Sequence, residues 1–224
     1  MEKYKEEFIT FLAQSNALQF GEFTLKSGRQ SPYFINTGMF DNGQQISRLG
    51  KFYAEAIKKE FDQDFDVIFG PAYKGIPLCV AAASALAQEF AIIKYFTFNR
   101  KEVKDHGDKK LLVGHPLQPG EKILIIDDVI TDGGALIESV AMLNTIARLQ
   151  YTGVILSVNR QEKNKAGQNA VAQFENKYKI PIRFIVTISE IIEFLHNNQI
   201  DNKIYIDDAT KQRMEDYLKE YGVN

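Results

Sequence analysis

From Asp66 onward the chain alternates short, continuous apolar runs with longer segments of helical spacing. Strands that are buried on both faces have this pattern, because a parallel sheet covered by helices has no polar face. The runs cover residues 67–69, 123–126, 154–158 and 184–187. The segments between them predict helices over 76–88, 135–150 and about 166–179, with Ser189 as the N-cap of a helix over 190–197. The pattern therefore predicts an α/β fold with a mostly parallel sheet flanked by helices, and ligands should gather at the carboxyl ends of its strands.

The first forty residues have a different spacing of apolar positions. Over the first fifteen, apolar side chains recur at helical spacing and predict an amphipathic helix. Residues 21–36 alternate β-prone runs around a Ser-Gly-Arg turn, which predicts an antiparallel hairpin. A second helix is expected over 46–57, and the segment 207–221 predicts a closing helix. We expect one domain over 1–224, built as an N-terminal helix and hairpin hood (1–40), an α/β core (about 41–200) and a C-terminal helix (about 201–224).

The 224 residues carry 27 Lys and Arg against 29 Asp and Glu, a formal net charge of −2. No global basic field is present, so the composition argues against nucleic-acid binding, and any anion site must be local. Hydrophobic residues at 45% and charged residues at 25% are typical of soluble globular domains. The longest apolar run, 78–87, is too short to cross a bilayer, and Cys79 has no second cysteine to pair with. We expect a cytoplasmic protein with neither a membrane nor a nucleic acid as partner.

The most informative stretch is 123–135, where a buried strand runs into two acids, a small polar turn and a helix. Asp127 and Asp128 at a strand end can accept hydrogen bonds from vicinal hydroxyls. The amides of the next turn lie at the positive end of a helix dipole and favour a phosphate, and glycines let it approach the backbone. Sugar hydroxyls beside a phosphate describe a ribose 5-phosphate site. The alternative is that the acids only cap the next helix; a Walker loop is excluded, because no Gly-Lys-Ser or Gly-Lys-Thr follows.

This stretch resembles the phosphoribosyl-diphosphate motif of the type I phosphoribosyltransferases. Four further segments narrow the resemblance to the bacterial orotate phosphoribosyltransferases; they are 23–34, 69–77, 99–107 and 159–162. The resemblance implies the type I phosphoribosyltransferase fold and the transfer of 5-phosphoribosyl from 5-phosphoribosyl 1-diphosphate to orotate. This step of de novo pyrimidine biosynthesis gives orotidine 5′-phosphate and diphosphate. The resemblance also implies Mg²⁺, bound mainly through the phosphoribosyl diphosphate, and a homodimer with shared active sites.

The base site would need an apolar wall, backbone polar groups and a cation, because orotate is a flat pyrimidine with a carboxylate. Arg160 suits that carboxylate, since its planar fork binds two oxygens at once, although an arginine after a strand more often forms a surface ion pair. Phe34 and Ile35 would supply the wall, although Phe34 alone is more typical of a core residue. The resemblance implies these residues for orotate: Lys26, Phe34, Ile35, Thr131 and Arg160.

Positive charge is concentrated between residues 100 and 110, which hold five Lys or Arg and one His without apolar periodicity. Such runs are usually solvated surface, but mobile cations could stabilise a departing diphosphate. The resemblance assigns catalysis to Lys104, Asp127 and Asp128, and no His or Cys cluster predicts a metal site made of side chains. It implies these residues for the phosphoribosyl diphosphate: Lys26, Tyr73, Lys74, Arg100, Lys101, Lys104, His106, Asp127, Asp128, Val129, Ile130, Thr131, Asp132, Gly133, Gly134 and Ala135.

Two positions of the glycine bend, which we define as residues 131–135, depart from the family pattern. In that pattern a small residue follows Thr131 and a hydroxyl residue occupies position 134, whereas this chain has Asp132 and Gly134 there. A carboxylate that pointed at a bound phosphate would cost on the order of 1 kcal/mol or more. We therefore predict that Asp132 faces solvent and that backbone amides supply the phosphate donors.

Three other functions fit part of this pattern. The first is a phosphoribosyltransferase for another nucleobase, such as a purine, although Arg160 and the hairpin with Lys26 favour an acidic pyrimidine. The second is a non-catalytic sensor of phosphoribosyl diphosphate that regulates transcription, which should carry a DNA-binding module and a degraded cationic loop. The third is a flavodoxin-like binding protein, which would explain neither the hairpin nor the cationic loop.

Overall fold

The computed structural model of the chain describes residues 1–25, 28–101 and 111–223, which form ten strands and seven α-helices. The strands are β1 Leu18–Thr24, β2 Gln30–Ile35, β3 Val67–Gly70, β4 Tyr95–Asn99, β5 Leu112–Gly114, β6 Lys122–Ile126, β7 Gln150–Asn159, β8 Ile182–Thr187, β9 Gln199–Ile200 and β10 Lys203–Ile204. The helices are α1 Lys3–Gln14, α2 Gly43–Phe61, α3 Gly75–Phe90, α4 Gly134–Ile146, α5 Ala170–Tyr178, α6 Ile188–Leu195 and α7 Asp208–Tyr221. A single 3-10 turn, Thr37–Met39, joins β2 to α2 within these ranges.

Six strands form the central sheet in the order β5-β4-β3-β6-β7-β8. Pairing is parallel throughout, except that β5 runs antiparallel to β4 at one edge. The chain builds outward from β3 to β4 and then returns to place β6 on the other side of β3. The strand order therefore reverses between β3 and β6, and the loops that follow these two strands open a crevice at the carboxyl edge of the sheet. The predicted α/β fold with a mostly parallel sheet is confirmed.

Alternation along β6 explains why its sequence is an unbroken apolar run. Ile123 and Ile125 pack into one core cluster, Leu124 and Ile126 pack into the other, and all four are fully buried. Helices α4 and α5 cover the first of these faces with Leu136, Val140, Leu143 and Phe174. None of the helices in the described residues is both long and apolar enough to cross a membrane.

The hood packs against the opposite face of the sheet. The predicted hairpin is confirmed, because β1 and β2 pair antiparallel with Leu18 opposite Ile35. The predicted first helix is α1, which buries Phe8 and Leu12. These side chains belong to the same buried cluster as α2 and the sheet residue Ile126. The hood and the sheet therefore share one hydrophobic core.

The structure corrects several predicted elements. Strands β4 and β5 were not predicted; in β4 Thr97 is the buried residue, so the strand lacks the continuous apolar run of its neighbours. Helix α4 ends at Ile146 rather than at residue 150, because Gln150 already begins β7. Helix α5 begins at Ala170 rather than near 166, since the Asn169 side chain accepts the Ala172 amide at 3.1 Å and caps it there.

The N-cap predicted at Ser189 is wrong. Thr187 caps α6 instead, and its hydroxyl accepts the Glu190 amide at 3.2 Å while the Glu190 carboxylate accepts the Thr187 amide at 2.7 Å. Ser189 lies inside the helix and donates its hydroxyl to Gln161 Oε1 at 2.6 Å. The capping box therefore starts the helix two residues earlier, and Ser189 is free to bind the loop after β7.

Candidate active site

The acid pair follows β6 at the carboxyl edge of the sheet. Asp128 is buried, and its Oδ1 accepts the Val129 amide at 2.8 Å. Its Oδ2 accepts Lys74 Nζ at 2.6 Å and Thr37 Oγ1 at 2.8 Å. Its backbone carbonyl accepts the amide and the hydroxyl of Ser157 on β7, at 2.9 and 2.6 Å. The side chain and the main chain of Asp128 are therefore both fixed by the protein itself.

Asp127 differs from its neighbour, because within the described residues no cation pairs with its carboxylate. Its Oδ1 accepts the Asp128 amide at 2.9 Å, and its carbonyl accepts the Tyr53 hydroxyl at 2.8 Å. Burial raises the pKa of Asp127 to about 7, and the charge of Asp128 adds to the rise, whereas the Asp128 amide and Lys74 oppose it. Asp127 therefore changes its protonation near neutral pH.

A tight turn after β3 brings Lys74 to the acid pair. Gly70 is required in this turn, because a Cβ there would lie 2.1 Å from the Gly75 carbonyl oxygen. The Ala72 amide donates to Asn99 Oδ1 at 2.8 Å, which ties the turn to the end of β4. The peptide bond that follows Ala72 is cis. Two loops on opposite sides of the strand reversal thus meet where Lys74 binds Asp128.

The glycine bend joins the acid pair to α4. Gly133 has a φ of +83°, a left-handed conformation that favours glycine, and it directly precedes the helix. Asp132 is exposed, as predicted, but its Oδ1 accepts the Gly134 amide at 3.0 Å. A Cβ at Gly134 would lie 3.3 Å from that oxygen. The Asp132 carboxylate therefore holds one amide expected to bind a phosphate. The other residues predicted for the phosphoribosyl group lie along the same segment: Val129, Ile130, Thr131 and Ala135.

The residues predicted for the base come from two strands. Phe34 is half-buried, and its ring stacks on Phe23 with 5.5 Å between centroids. Ile35 is the next residue of β2, so its side chain points to the opposite face and lies in the hydrophobic core. The structure therefore does not bring the Ile35 side chain beside Phe34. Arg160 directly follows β7, whose carboxyl end lies at the same edge as the acid pair, and it forms an ion pair with Glu162.

Part of the predicted diphosphate site lies at the ends of β3 and β4. The Arg100 amide donates to the Leu111 carbonyl at 2.8 Å, which continues the pairing of β4 with β5. Lys101 Nζ lies 4.8 Å from the ring centre of Tyr73, an exposed side chain that immediately precedes Lys74. These two strand ends therefore gather an aromatic ring and several cations. Three predicted residues lie outside the described residues: Lys26, Lys104 and His106.

Sequence reasoning missed several residues that hold this site together. Thr37 and Tyr53 reach the acid pair with their hydroxyls from the hood side of the core, and no local motif marks either of them. Ser157 is fully buried within the apolar run of β7, so its polarity was a signal that could have been used. Asn99 and Glu162 lie beside predicted residues in the sequence. The Asn99 side chain binds the Ala72 amide, and the Glu162 carboxylate binds the Arg160 guanidinium.

A cavity adjoins the acid pair on its hood side. It has a volume of about 380 Å³ and lies between residues 37–43 and the first turn of α3. Thr37 and Lys74 line its wall, and the same two side chains bind Asp128. A small ligand therefore has room next to the groups that hold the acid pair.

The described residues contain no group of three or more His, Cys, Asp or Glu that could hold a metal ion unaided. Asp127 is the carboxylate with unused capacity in the crevice, since within these residues its Oδ2 accepts no hydrogen bond. One or two carboxylates together with phosphate oxygens and waters are the usual ligands of Mg²⁺. The donor set fits a cation that is brought mainly by a phosphorylated ligand.

Comparison with known proteins gives a consistent result over the whole chain. The family model described as the phosphoribosyl transferase domain matches residues 36–184. The orotate phosphoribosyltransferase of Clostridium acetobutylicum is 46% identical over 223 residues, which cover 100% of both chains. That of Clostridium beijerinckii is 46% identical over 222 residues, which cover 99% of both.

A solved structure agrees with these sequence relatives. The crystal structure of orotate phosphoribosyltransferase from Francisella tularensis superimposes with a TM-score of 0.83 at 37% identity. The superposition covers 96% of this chain and 99% of that one. The similarity therefore includes the hood and α7 as well as the central sheet.

Proposed function

The chain belongs to the phosphoribosyl transferase domain family, and on this premise we propose that it transfers 5-phosphoribosyl from 5-phosphoribosyl 1-diphosphate to orotate. The products are orotidine 5′-phosphate and diphosphate, in de novo pyrimidine biosynthesis. One structural observation supports the proposal most directly. Lys74, after β3, binds Asp128, after β6, where the strand order reverses, and the glycine bend that leads into α4 follows Asp128. A cation, two acids and helix amides are the groups that an activated pentose phosphate needs.

We assign the sugar to the acid pair and its 5-phosphate to the glycine bend. Asp127 and Asp128 accept hydrogen bonds from the ribose hydroxyls, and the amides from Thr131 to Ala135 bind the phosphate. Lys74 is paired with Asp128 Oδ2 at 2.6 Å. A diphosphate that attracts Lys74 releases that oxygen for a sugar hydroxyl, so binding of the two ends of the substrate is coupled.

The reaction that follows is a displacement at the anomeric carbon. A ring nitrogen of orotate attacks this carbon and loses its proton as diphosphate leaves, with inversion and without a covalent enzyme intermediate. The transition state resembles an oxocarbenium ion, so the carboxylates of Asp127 and Asp128 stabilise its positive charge. Lys74, Arg100 and Lys101 at the ends of β3 and β4 stabilise the departing diphosphate. Lys104 and His106, outside the described residues, stay assigned to the same task from the sequence.

Orotate is assigned to the loop after β7 and to the outward face of the hairpin. Arg160 binds the orotate carboxylate with its planar guanidinium. Phe34 offers a ring to the pyrimidine, while Ile35 contributes through its backbone, because its side chain is in the core. Thr131 on the glycine bend and Lys26 complete the proposed set.

Phosphoribosyltransferases generally use Mg²⁺ with the activated sugar. We propose that the cation would be held mainly by phosphate and hydroxyl oxygens of the substrate, with Asp127 as the carboxylate that the protein could add. The ion neutralises charge on the diphosphate when bound. The protein supplies the acid pair and the cations after β3 and β4, which orient the substrate.

We propose further that two copies of the chain share their active sites. An apolar patch supports this: Ile93 is 87% exposed, Tyr95 is 60% exposed and Val80 is 40% exposed, around β4 and α3. The cations Arg100 and Lys101 lie at the opposite end of β4 from Tyr95, so a copy that covered this patch and continued along the strand would border them. Sedimentation velocity should give a dimer that Ile93→Glu dissociates and Ile204→Glu, at an exposed residue of β10, does not; a monomeric wild type would contradict the shared sites.

The activity itself is tested by the ultraviolet absorbance of orotate. Purified protein should consume orotate when both phosphoribosyl diphosphate and Mg²⁺ are present, and neither alone should suffice. Hypoxanthine and uracil serve as competing bases and should be poor substrates. Consumption of hypoxanthine in place of orotate would favour the purine alternative, and magnesium-dependent binding of phosphoribosyl diphosphate without turnover of any base would favour the sensor.

A further inference from the structure

The loop that carries Arg160 is held by parts of the chain that are distant in sequence. We call residues 159–164 the base loop. The Arg29 guanidinium donates to the carbonyls of Lys163 and Asn164 at 2.6 and 2.8 Å, and the Lys163 amide donates to the Tyr221 carbonyl at 2.8 Å. The hood therefore holds the loop from one side, and the end of α7 holds it from the other.

Inside the base loop, Glu162 holds Arg160 by one edge only. Arg160 Nε and Nη2 both donate to Glu162 Oε1, at 3.0 and 2.7 Å. The Tyr33 hydroxyl donates to the same oxygen at 2.6 Å, and the Tyr33 ring centre lies 4.6 Å from the guanidinium carbon. Within the described residues Arg160 Nη1 has no hydrogen-bond partner. The opposite edge of the fork is thus available, while its orientation is fixed.

The ion pair is buried, and it adjoins a polar atom without a partner. The side chains of Arg160 and Glu162 are only 12% and 11% exposed. Tyr217 of α7 packs edge-on against Tyr33 with 5.9 Å between ring centres, and its hydroxyl is buried without a hydrogen-bond partner among the described residues. Burial raises the pKa of Tyr217, and the charge of Glu162 raises it further. The charge of Glu162 is therefore felt at the buried Tyr217 hydroxyl of α7 as well as at Arg160.

We propose that Glu162 is a positioning residue for base recognition, which holds Arg160 by its Nε edge so that the Nη1 edge receives the carboxylate of the base. The proposal rests on the proposed function of Arg160 and extends it to a residue that does not touch the substrate. A charge-assisted bond at a fixed angle is worth more than one to a free arginine, because less side-chain freedom is lost on binding. Glu162, Tyr33 and α7 thereby set the preference for an acidic pyrimidine.

Three variants of Glu162 distinguish the hydrogen bond that orients Arg160 from the negative charge of the Glu162 carboxylate. Glu162→Gln keeps an acceptor oxygen in place and removes the charge, so the KM for orotate should stay within about threefold of wild type. Glu162→Asp keeps the charge and withdraws the oxygen, and Glu162→Ala removes both. These two should raise the KM for orotate about tenfold, with kcat and the KM for phosphoribosyl diphosphate within about twofold. Glu193→Ala, at an exposed position of α6, is the matched control and should behave as wild type.

A double-variant cycle tests whether Glu162 acts through Arg160. If it does, Arg160→Ala with Glu162→Ala should have the same KM for orotate as Arg160→Ala alone, since no fork remains to be held. Additive losses would overturn the proposal, because Glu162 would then act elsewhere. If Glu162→Ala does not fold, the comparison of Glu162→Gln with Glu162→Asp decides alone.

The remaining outcomes are also decisive. A lower KM for orotate in Glu162→Gln would show that Glu162 competes with the substrate carboxylate, which overturns the proposal. If Glu162→Asp raised the KM for orotate and the KM for phosphoribosyl diphosphate by the same factor, Glu162 would have only a structural role. That result would also overturn the proposal. The wild-type protein tests the proposed function: if it does not use orotate, that function is wrong. If the wild type and Glu162→Asp both use orotate normally, only the positioning role of Glu162 is wrong.

Discussion

The glycine bend and the base loop follow neighbouring strands at the same edge of the sheet, yet they are held in opposite ways. The acid pair before the glycine bend is fixed by adjacent strands, through Ser157 on β7 and Lys74 after β3. The base loop is fixed by the hood and by α7, through Arg29 and the backbone of Tyr221. The proposed sugar side of the site thus depends mainly on the sheet, with Thr37 and Tyr53 adding one hydrogen bond each. The proposed base side depends on elements that surround the sheet.

This difference separates general from selective chemistry. The groups for a sugar phosphate are supplied by local strand-loop-helix geometry, which any chain with this sheet and turn can reproduce. The groups for one particular base depend on contacts between distant segments. The comparison predicts that substitutions on the sugar side affect all substrates, and that substitutions on the base side affect orotate.

The largest effect is expected from Asp128→Ala on the sugar side. The change removes an acceptor for the sugar and leaves Lys74 and Thr37 without their partner. Charge-assisted bonds contribute about 1.5 to 3 kcal/mol each, so kcat/KM should fall roughly 100-fold or more for both substrates. Steady-state kinetics measures it, with Asp216→Asn on the exposed face of α7 as the control. A loss confined to orotate would contradict the division between the two sides.

Arg160→Ala is the corresponding change on the base side. Loss of a bidentate contact to a carboxylate costs about 2 to 3 kcal/mol, so the KM for orotate should rise roughly 30- to 150-fold. The KM for phosphoribosyl diphosphate should stay nearly constant. Arg148→Ala, at an exposed arginine between α4 and β7, is the control. Equal losses for both substrates would count against a separate base site.

Asp127→Asn should stabilise the ligand-free protein at high pH. The pKa of Asp127 is about 7 against an ordinary 3.8, so the folded chain binds this proton more tightly than the unfolded chain does. The stability that the proton provides is present below pH 4 and is lost as the pH rises to about 7. Asn removes this loss, so urea unfolding should show a gain of about 2 to 4 kcal/mol at pH 8 and a smaller gain at pH 5. A gain that is independent of pH would show that another cause is acting.

The smallest effect is expected at Asp132. Asp132→Ala frees the Gly134 amide and removes a negative charge beside the proposed phosphate site, so the KM for phosphoribosyl diphosphate should fall about three- to fivefold. The KM for orotate should not change. Glu138→Ala, at an exposed glutamate of α4, controls for net charge. If the KM for phosphoribosyl diphosphate rises instead, the Asp132 carboxylate supports the bend rather than competing with phosphate.

The sequence predicted the parts of the fold that are specified locally. The apolar runs became β3, β6, β7 and β8, because a strand buried on both faces cannot alternate with polar residues. It did not predict β4, which has a single buried residue, or the capping box at Thr187, which competes with the equally plausible Ser189. Strand edges and helix ends are decided by tertiary contacts that leave a weak local signal.

The site divides in the same manner. Asp127, Asp128, Lys74 and Arg160 could be proposed from the sequence, because they stand at strand ends within motifs. Thr37 and Tyr53 could not be proposed in this way. Their hydroxyls bind the acid pair from distant parts of the chain, and no local motif marks either residue. The orientation of Ile35 into the core followed from strand alternation and could have been predicted from the buried neighbour Tyr33, two residues earlier.

The support of the base loop by Tyr221 has a consequence for how the protein is made. The loop lies roughly 60 residues before its support, a stretch that takes about 3 to 12 seconds to translate. The strands that hold the acid pair, by contrast, are complete once β7 has left the ribosome. On the proposed assignment, a nascent chain would therefore complete the contacts of its sugar site before it could complete those of its base site.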